Sequence, residues 1–319
     1  MDIIKLADEI IAGRRLTAQD DLSFITEGEL ATLCEGADKI RKALCGSRAD
    51  LCTIVNGRSG GCSENCKYCA QSGHYRTGVQ CYEFLEPKQL LEDCLKNEAE
   101  GVQRYSIVTA GRTLTGAAFE KALEAYRLMS RQSRLILCAS HGFMTDEQLR
   151  QLKEAGMTMY HENIETSRRY FPYICTTHTY DDKLDMIRRA KAAGLTICCG
   201  GILGMGETWQ DRIDMALDIA SLGVESIPLN ALMPMKGTPF AELPVLSEEE
   251  LLRCVALFRF LVPQADVRLA AGRRLMERGG IKAFCGGANS AVTGNMLTTG
   301  GTSIRGDIEM LKELGFEFD

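Results

Sequence analysis

Apolar positions recur at two spacings along the chain, and the change between them divides it. Over residues 1–46 the spacing is helical: Ile3, Ile4, Ala7 and Ile10 mark one amphipathic helix, and Glu27-Gly28-Glu29-Leu30-Ala31-Thr32-Leu33 opens a second. This stretch reads as a helical extension, a lid or clasp. From residue 47 to 319 a short β-rich run is repeatedly followed by a charged, helix-patterned run that ends in glycine. Strands are expected at 51–55, 103–109, 134–138, 158–164, 196–200, 225–229, 266–270 and 281–285. Helix starts lie between them. Pro87 opens one that Gly101 closes, Thr145 and Gln148 form a capping box, and Ser247 precedes Glu248-Glu249-Glu250 at the head of an apolar helix running to Leu261. Eight strands with intervening helices predict an α/β fold, a (β/α)8 TIM-type barrel occupying residues 47–319; an open doubly wound sheet is the alternative.

Composition adds limits. The 319 residues are 45% hydrophobic and 25% charged, ordinary for a globular chain with one large core. Thirty-seven basic against 43 acidic residues, a net charge of -6, give no electrostatic reason to expect nucleic acid or an anionic membrane as partner. No apolar run approaches the roughly 18–20 residues that span a bilayer. The start, Met1-Asp2-Ile3-Ile4-Lys5, lacks a charged-then-apolar leader, so a cytoplasmic protein acting on a small molecule is expected. Fourteen cysteines in a reducing compartment point to metal binding, redox chemistry or buried thiols, best tolerated in an oxygen-poor cell. Cys34, Cys45, Cys94 and Cys254 lie on helix-patterned stretches and read as small apolar residues.

The chemistry concentrates in Gly61-Cys62-Ser63-Glu64-Asn65-Cys66-Lys67-Tyr68-Cys69-Ala70, directly after the first expected strand. Three thiols so spaced can hold three corners of a cubane iron cluster and leave one iron for a small molecule. Tyr68 is placed to cover it. A zinc knuckle is the competing reading, but it needs a second pair of ligands that does not follow at suitable spacing. In a barrel the site gathers at the C-terminal ends of the strands. Arg104, Ser106, Cys138, Asn163, Glu165, Cys198, Asn230 and Arg268 fall on or at the ends of expected strands. Each has a plainer reading. Asn163 and Asn230 can satisfy strand-end backbone groups, and Arg268 suits an ion pair better than a metal, since guanidinium has no free lone pair. Gly200-Gly201 and Gly204-Met205-Gly206 make a poor dinucleotide fingerprint; close backbone approach to a bulky cofactor explains them.

The C-x3-C-x2-C loop after a barrel's first strand resembles the radical S-adenosylmethionine superfamily. Further stretches, Tyr160 to Ser167, Gly200 to Thr208, Asn230 to Pro239, Val267 to Arg273 and Gly287 to Ser290, resemble the biotin synthase family from about residue 50 onward. The resemblance implies a 4Fe-4S cluster on Cys62, Cys66 and Cys69 that chelates S-adenosylmethionine and cleaves it reductively to a 5'-deoxyadenosyl radical. Two such radicals remove two hydrogens from dethiobiotin, and sulfur enters from an auxiliary 2Fe-2S cluster held by three Cys and one Arg. Cys138, Cys198 and Arg268 match three of those positions; Arg268 is expected to act by electrostatic tuning. Ser106 stands at the fourth, and a serine alkoxide is a poor ligand for a soft metal. Cys199, Cys285, Cys175 and Cys81 are the thiols that can compensate, with Cys285 favoured, so a different ligand set and cluster content are expected.

The same resemblance places Asn163 and Asn230 on the ureido ring of dethiobiotin and Arg104, Thr298 and Thr299 near its carboxylate tail. Tyr68, Asn163, Glu165 and Met205 fall beside S-adenosylmethionine, Glu165 where the family commonly has Asp. His161 and Glu162 depart from the commoner asparagine and histidine. Implied partners are flavodoxin or ferredoxin as electron donor, the iron-sulfur assembly machinery and a second copy of the chain. Two rivals stand beside this reading. One is a radical enzyme of the same barrel group without sulfur transfer, hydrogenase-maturation-like or carbon-skeleton rearranging. The other is an iron-sulfur carrier, which leaves the polar strand ends unexplained.

Overall fold

The computed structural model describes residues 1–295 and 301–318. Helices α1 (Ile3–Ile11), α2 (Phe24–Glu27) and α3 (Leu30–Cys45) precede β1 (Asp50–Arg58). Then come α4 (Pro87–Ala99), β2 (Arg104–Thr109), α5 (Gly116–Gln132), β3 (Ile136–Ser140), α6 (Asp146–Glu154), β4 (Met159–His161), α7 (Phe171–Ile174) and α8 (Tyr180–Ala192). The chain continues through β5 (Thr196–Cys198), β6 (Gly201–Leu203), α9 (Trp209–Leu222), β7 (Ser226–Ala231) and α10 (Glu248–Leu261). It ends with β8 (Asp266–Leu269), α11 (Ile281–Phe284), β9 (Ser290–Val292) and α12 (Ile304–Glu313). Four of the helices start at full capping boxes, those of Thr145, Thr179, Thr208 and Ser247.

The strands are all parallel, in the order β5-β4-β3-β2-β1-β9-β8-β7-β6, and β5 also pairs with β7. That last pairing closes the ring, so the open-sheet alternative falls. β5 and β6 are two halves of one stave, interrupted at Cys199-Gly200, which leaves eight staves from nine segments. The break has a steric cause. A Cβ on Gly200 would lie 2.0 Å from the Pro228 carbonyl oxygen, and one on Gly201 would lie 2.5 Å from that of Glu165. Neighbouring backbones approach here as only glycine permits.

The eighth stave differs from the expectation. Residues 281–285 form helix α11 and its cap, not a strand, and the ring is closed by β9, which pairs with β1 and β8. A five-residue apolar run does not by itself distinguish helix from strand. Gly280, with φ 113, turns the chain into the helix, whereas β9 is only three residues long.

The N-terminal extension packs α1 on α3 and α3 on α10, and its Leu6, Ala7, Ile10 and Leu33 belong to the same apolar core as the barrel. Leu16 and Thr17 lie over the N-terminal strand ends, beside Ile136, Thr158 and Thr196. The helices of the extension thus lie against α10, and only its 15–18 link reaches the N-terminal ends of the strands. Among the described residues no helix is long and apolar enough to cross a membrane.

Candidate active site

β1 ends in a loop that turns at Gly60 and Gly61, with φ 76 and 64, and carries Cys62, Cys66 and Cys69 over the mouth. The loop is tied to itself, Cys62 N–H donating to Gln71 O at 3.0 Å and Gly73 N–H to Cys62 O at 2.8 Å. It is also laced to the segment after α7: Lys67 N–H donates to Ile174 O at 2.9 Å, and Asn65 Oδ1 accepts from Thr176 N–H at 2.9 Å. All three thiols are free, half-buried and turned into one cavity of about 420 Å³. Burial pushes the Cys69 thiol up to about 11. The Cys66 thiol is raised first by its contact with Cys175 and then by burial.

Across the cavity from this loop stands a second group. Tyr68 on the loop and Glu165 opposite line the same cavity, and burial raises the pKa of both. Glu165 has φ 70, a left-handed conformation uncommon outside glycine, and its backbone bridges to Gly201. Backbone strain held in place by surrounding structure is characteristic of functional sites. Lys183 from α8 reaches in to the Glu162 carboxylate. Burial alone would lower its ammonium, but Glu162 and Glu165 outweigh that and hold it charged. Asn163 accepts from Gly200 N–H at 3.0 Å and offers Nδ2 to Glu165 at 3.4 Å. Asn230 donates to Gly201 O and accepts from Ala271 N–H, each at 3.1 Å. Both asparagines therefore brace strand ends while lining the cavity.

The floor holds a thiol that sequence reasoning passed over. Cys52 on β1 faces Cys138 on β3, and each is the largest influence on the other: Cys138 is raised by Cys52 and burial, Cys52 lowered by Cys138. Cys198, raised by burial, completes the set. Ser106 is in register with Cys138 and shares the wall. Strand alternation carries the signal that was missed, since Cys52 lies two residues before Ile54 and both face inward. His161 and Lys183 also line the cavity, with no local signal in the sequence to mark them.

Arg268 is 2% exposed and fully engaged, with Asp50 Oδ1 at 2.5 Å, Ser226 Oγ at 3.2 Å and the carbonyls of Asp50 and Ala291 at 3.2 Å. Burial would lower its pKa, but Asp50 and the thiols outweigh it, so the group stays a cation that braces β8 against β1, β7 and β9. Arg104 pairs with the same Asp50 at 2.7 Å on the floor.

Of the compensating thiols, Cys285 is corrected. It is exposed at the cap of α11, outside the barrel, because the run 281–285 is helical. Cys81 is exposed, Cys199 is buried in the core that excludes the cavity, and Cys175 touches Cys66 instead of the floor. Met205 is 1% exposed and packed in the apolar core, its carbonyl accepting from Tyr170. Thr298 and Thr299 lie outside the described residues.

Two family profiles match the chain: the Radical SAM superfamily over residues 58–219 and the Biotin and Thiamin Synthesis associated domain over residues 228–317. The biotin synthase of Clostridium beijerinckii is 58% identical over 312 residues, covering 98% of this chain and 99% of that protein. That of Alkaliphilus metalliredigens is 55% identical over 316 residues, covering 99% of both. The chain belongs to the biotin synthase family. Among solved structures, methylornithine synthase (PylB) matches with a TM-score of 0.85 at 18% identity, covering 98% of this chain and 97% of that one. The [FeFe]-hydrogenase maturase HydG matches at 0.83 and 17%, covering 100% and 75%. These two likenesses concern the fold alone.

As a radical S-adenosylmethionine protein of the biotin synthase family, the chain uses a 4Fe-4S cluster and S-adenosylmethionine. The residues present fit both. Cys62, Cys66 and Cys69 are unpaired soft donors on one loop, and Tyr68, Asn163 and Glu165 line the same cavity.

Proposed function

We propose that the chain is a radical sulfurtransferase that converts dethiobiotin to biotin, with an auxiliary iron-sulfur cluster on Cys52, Cys138 and Cys198 as the sulfur source. The observation that carries this reading is the cavity itself, which joins the radical-cluster loop at its mouth to three buried thiols and Arg268 at its floor. When bound, the two clusters and S-adenosylmethionine supply an electron, a hydrogen-abstracting 5'-deoxyadenosyl radical and sulfide.

The protein's own work is placement and exclusion of water. Glu165 and Tyr68 offer a carboxylate and a phenol to ribose hydroxyls, Glu165 being fixed by its backbone bridge to Gly201. Asn163 and Asn230 present amides to the ureido ring, and their bonds to strand-end backbone groups fix their orientation. Arg268 lowers the cost of thiolate at Cys52 and Cys198, and Arg104 does the same at Cys138. Arg268 is therefore a positioning and charge-tuning residue; as a metal ligand it would have to give up its proton and its hold on Asp50. Arg104, with Thr298 and Thr299, is assigned the carboxylate tail; its pairing with Asp50 means that it shares its charge with the protein. A one-electron donor such as flavodoxin or ferredoxin, supply by the iron-sulfur assembly machinery and pairing of two copies complete the proposal.

Replacing two C–H bonds by two C–S bonds consumes one 5'-deoxyadenosyl radical per hydrogen. An anaerobic assay with reductant, S-adenosylmethionine and dethiobiotin should therefore yield two 5'-deoxyadenosines per biotin. Cleavage that dethiobiotin neither stimulates nor couples to product would sink the reading and favour a radical enzyme without sulfur transfer.

A further inference from the structure

Cys175 and His178 lie in the link between α7 and α8, and neither belongs to the radical-cluster motif. Both are buried, and both converge on Cys66. Cys66 Sγ and Cys175 Sγ are 3.7 Å apart, Cys175 Sγ is 3.4 Å from His178 Nδ1, and all three ligand atoms lie within 4.8 Å of one another. Among the described residues no other trio of His, Cys or acidic ligand atoms gathers so tightly.

The spacing is that of ligands on one ion. With metal–sulfur bonds of about 2.3 Å and metal–nitrogen bonds of about 2.0–2.1 Å, tetrahedral angles put two sulfurs about 3.8 Å apart and sulfur and nitrogen about 3.5 Å apart. A disulfide would need an S–S distance of about 2.05 Å. Cubane thiolates each sit on a separate iron and are further apart. The trio is also held in place. The Asn65 contacts fix the Cys66 loop against residues 174–177, and the rings of Phe143 and Phe171 meet the His178 ring edge-on at 5.3 and 5.6 Å. His178 Nδ1 also lies 2.6 Å from Glu64 Oε2, which Arg112 engages at 3.1 Å. When a metal takes Nδ1, Glu64 keeps Arg112 as its partner.

We propose that Cys66, Cys175 and His178 form a mononuclear site for one thiophilic divalent cation, ferrous iron or zinc, in the chain that lacks its radical cluster. Binding releases the thiol protons, plus the imidazole proton where His178 is charged, and leaves a fourth position open to water. Cys66 is shared, so the ion and the 4Fe-4S cluster exclude each other. The site stands whether or not dethiobiotin is the substrate.

The test uses the full chain, stripped of iron without oxygen, its thiols kept reduced by a phosphine, and titrated with cobalt(II). The background is Cys62→Ala with Cys69→Ala, which removes binding by the three motif thiols together. One equivalent beyond any uptake at the floor cysteines should bind with two-thiolate charge-transfer absorption and the intense visible bands of a four-coordinate ion, displaceable by zinc. Adding Cys175→Ser or His178→Ala should abolish that equivalent or weaken it by at least about tenfold. Uptake at the floor cysteines is common to all variants and cancels in the comparison. An identical titration after both changes, with folding verified by near-ultraviolet circular dichroism, overturns the site. A second reading uses wild-type protein: zinc loading should slow the return of iron during cluster reconstitution, and Cys175→Ser should relieve it. Equal rates with and without zinc contradict the exclusion. Competition of zinc against ferrous iron for the cobalt signal tells which ion the site prefers.

Discussion

Cys52 decides more at the residue scale than its place in a short strand suggests. The cavity floor presents Cys52, Cys138 and Cys198 where Ser106 leaves a thiol missing. Changing Cys52→Ala should remove the auxiliary share of iron and sulfide and lower biotin formation on the order of a hundredfold, while S-adenosylmethionine cleavage persists; unchanged iron content would contradict it. His141 makes a separate prediction about pH. Burial lowers its pKa from 6.5 to about 3, with Thr109 at 3.1 Å from Nδ1 and Tyr126 at 3.1 Å from Nε2. Between those values the unfolded chain binds a proton that the folded chain refuses, so stability falls as pH drops from 6.5 toward 3, by up to about 1.4 kcal/mol per unit. Denaturant midpoints of the wild type at pH 7 and 5 should differ by more than those of His141→Gln; equal differences would refute the assignment. The radical thiols were legible because three cysteines in eight residues are rare enough to speak alone. Cys52 was not, because a single thiol in an apolar strand looks like packing until the facing strand is known.

At the scale of elements, the loops and seven staves follow from periodicity, glycine stops and capping boxes, all of which are local. β9 and α11 do not, because β9 becomes a strand only through its pairing with β1 and β8. The split of β5 from β6 also depends on distant contacts, which set the Gly200 and Gly201 backbones against Pro228 and Glu165. Gly200→Ala should therefore lower stability by about 1–3 kcal/mol or more, read as a fall in denaturant midpoint, and should cost binding of S-adenosylmethionine as well, because the same bend fixes Asn163. A variant with unchanged midpoint and cofactor affinity would contradict the close approach.

On the scale of the molecule, the barrel separates two tasks along one axis. At its N-terminal end the strand starts are flanked by the link between α1 and α2, residues 15–18, and the residues with chemistry in them lie above, from Arg104 and Arg268 on the floor to Cys62, Cys66 and Cys69 at the mouth. The central claim is that sulfur travels upward from the Cys52, Cys138 and Cys198 floor into a substrate held beneath the radical source. It is tested most directly by rebuilding the clusters with isotopically heavy sulfide, removing free sulfide, and weighing the biotin formed anaerobically. Heavy sulfur in the biotin of the wild type, with on the order of a hundredfold less formed by Cys52→Ala although 5'-deoxyadenosine still appears, is the predicted result. Light sulfur, or heavy biotin from the Cys52→Ala protein at the wild-type level, would contradict it.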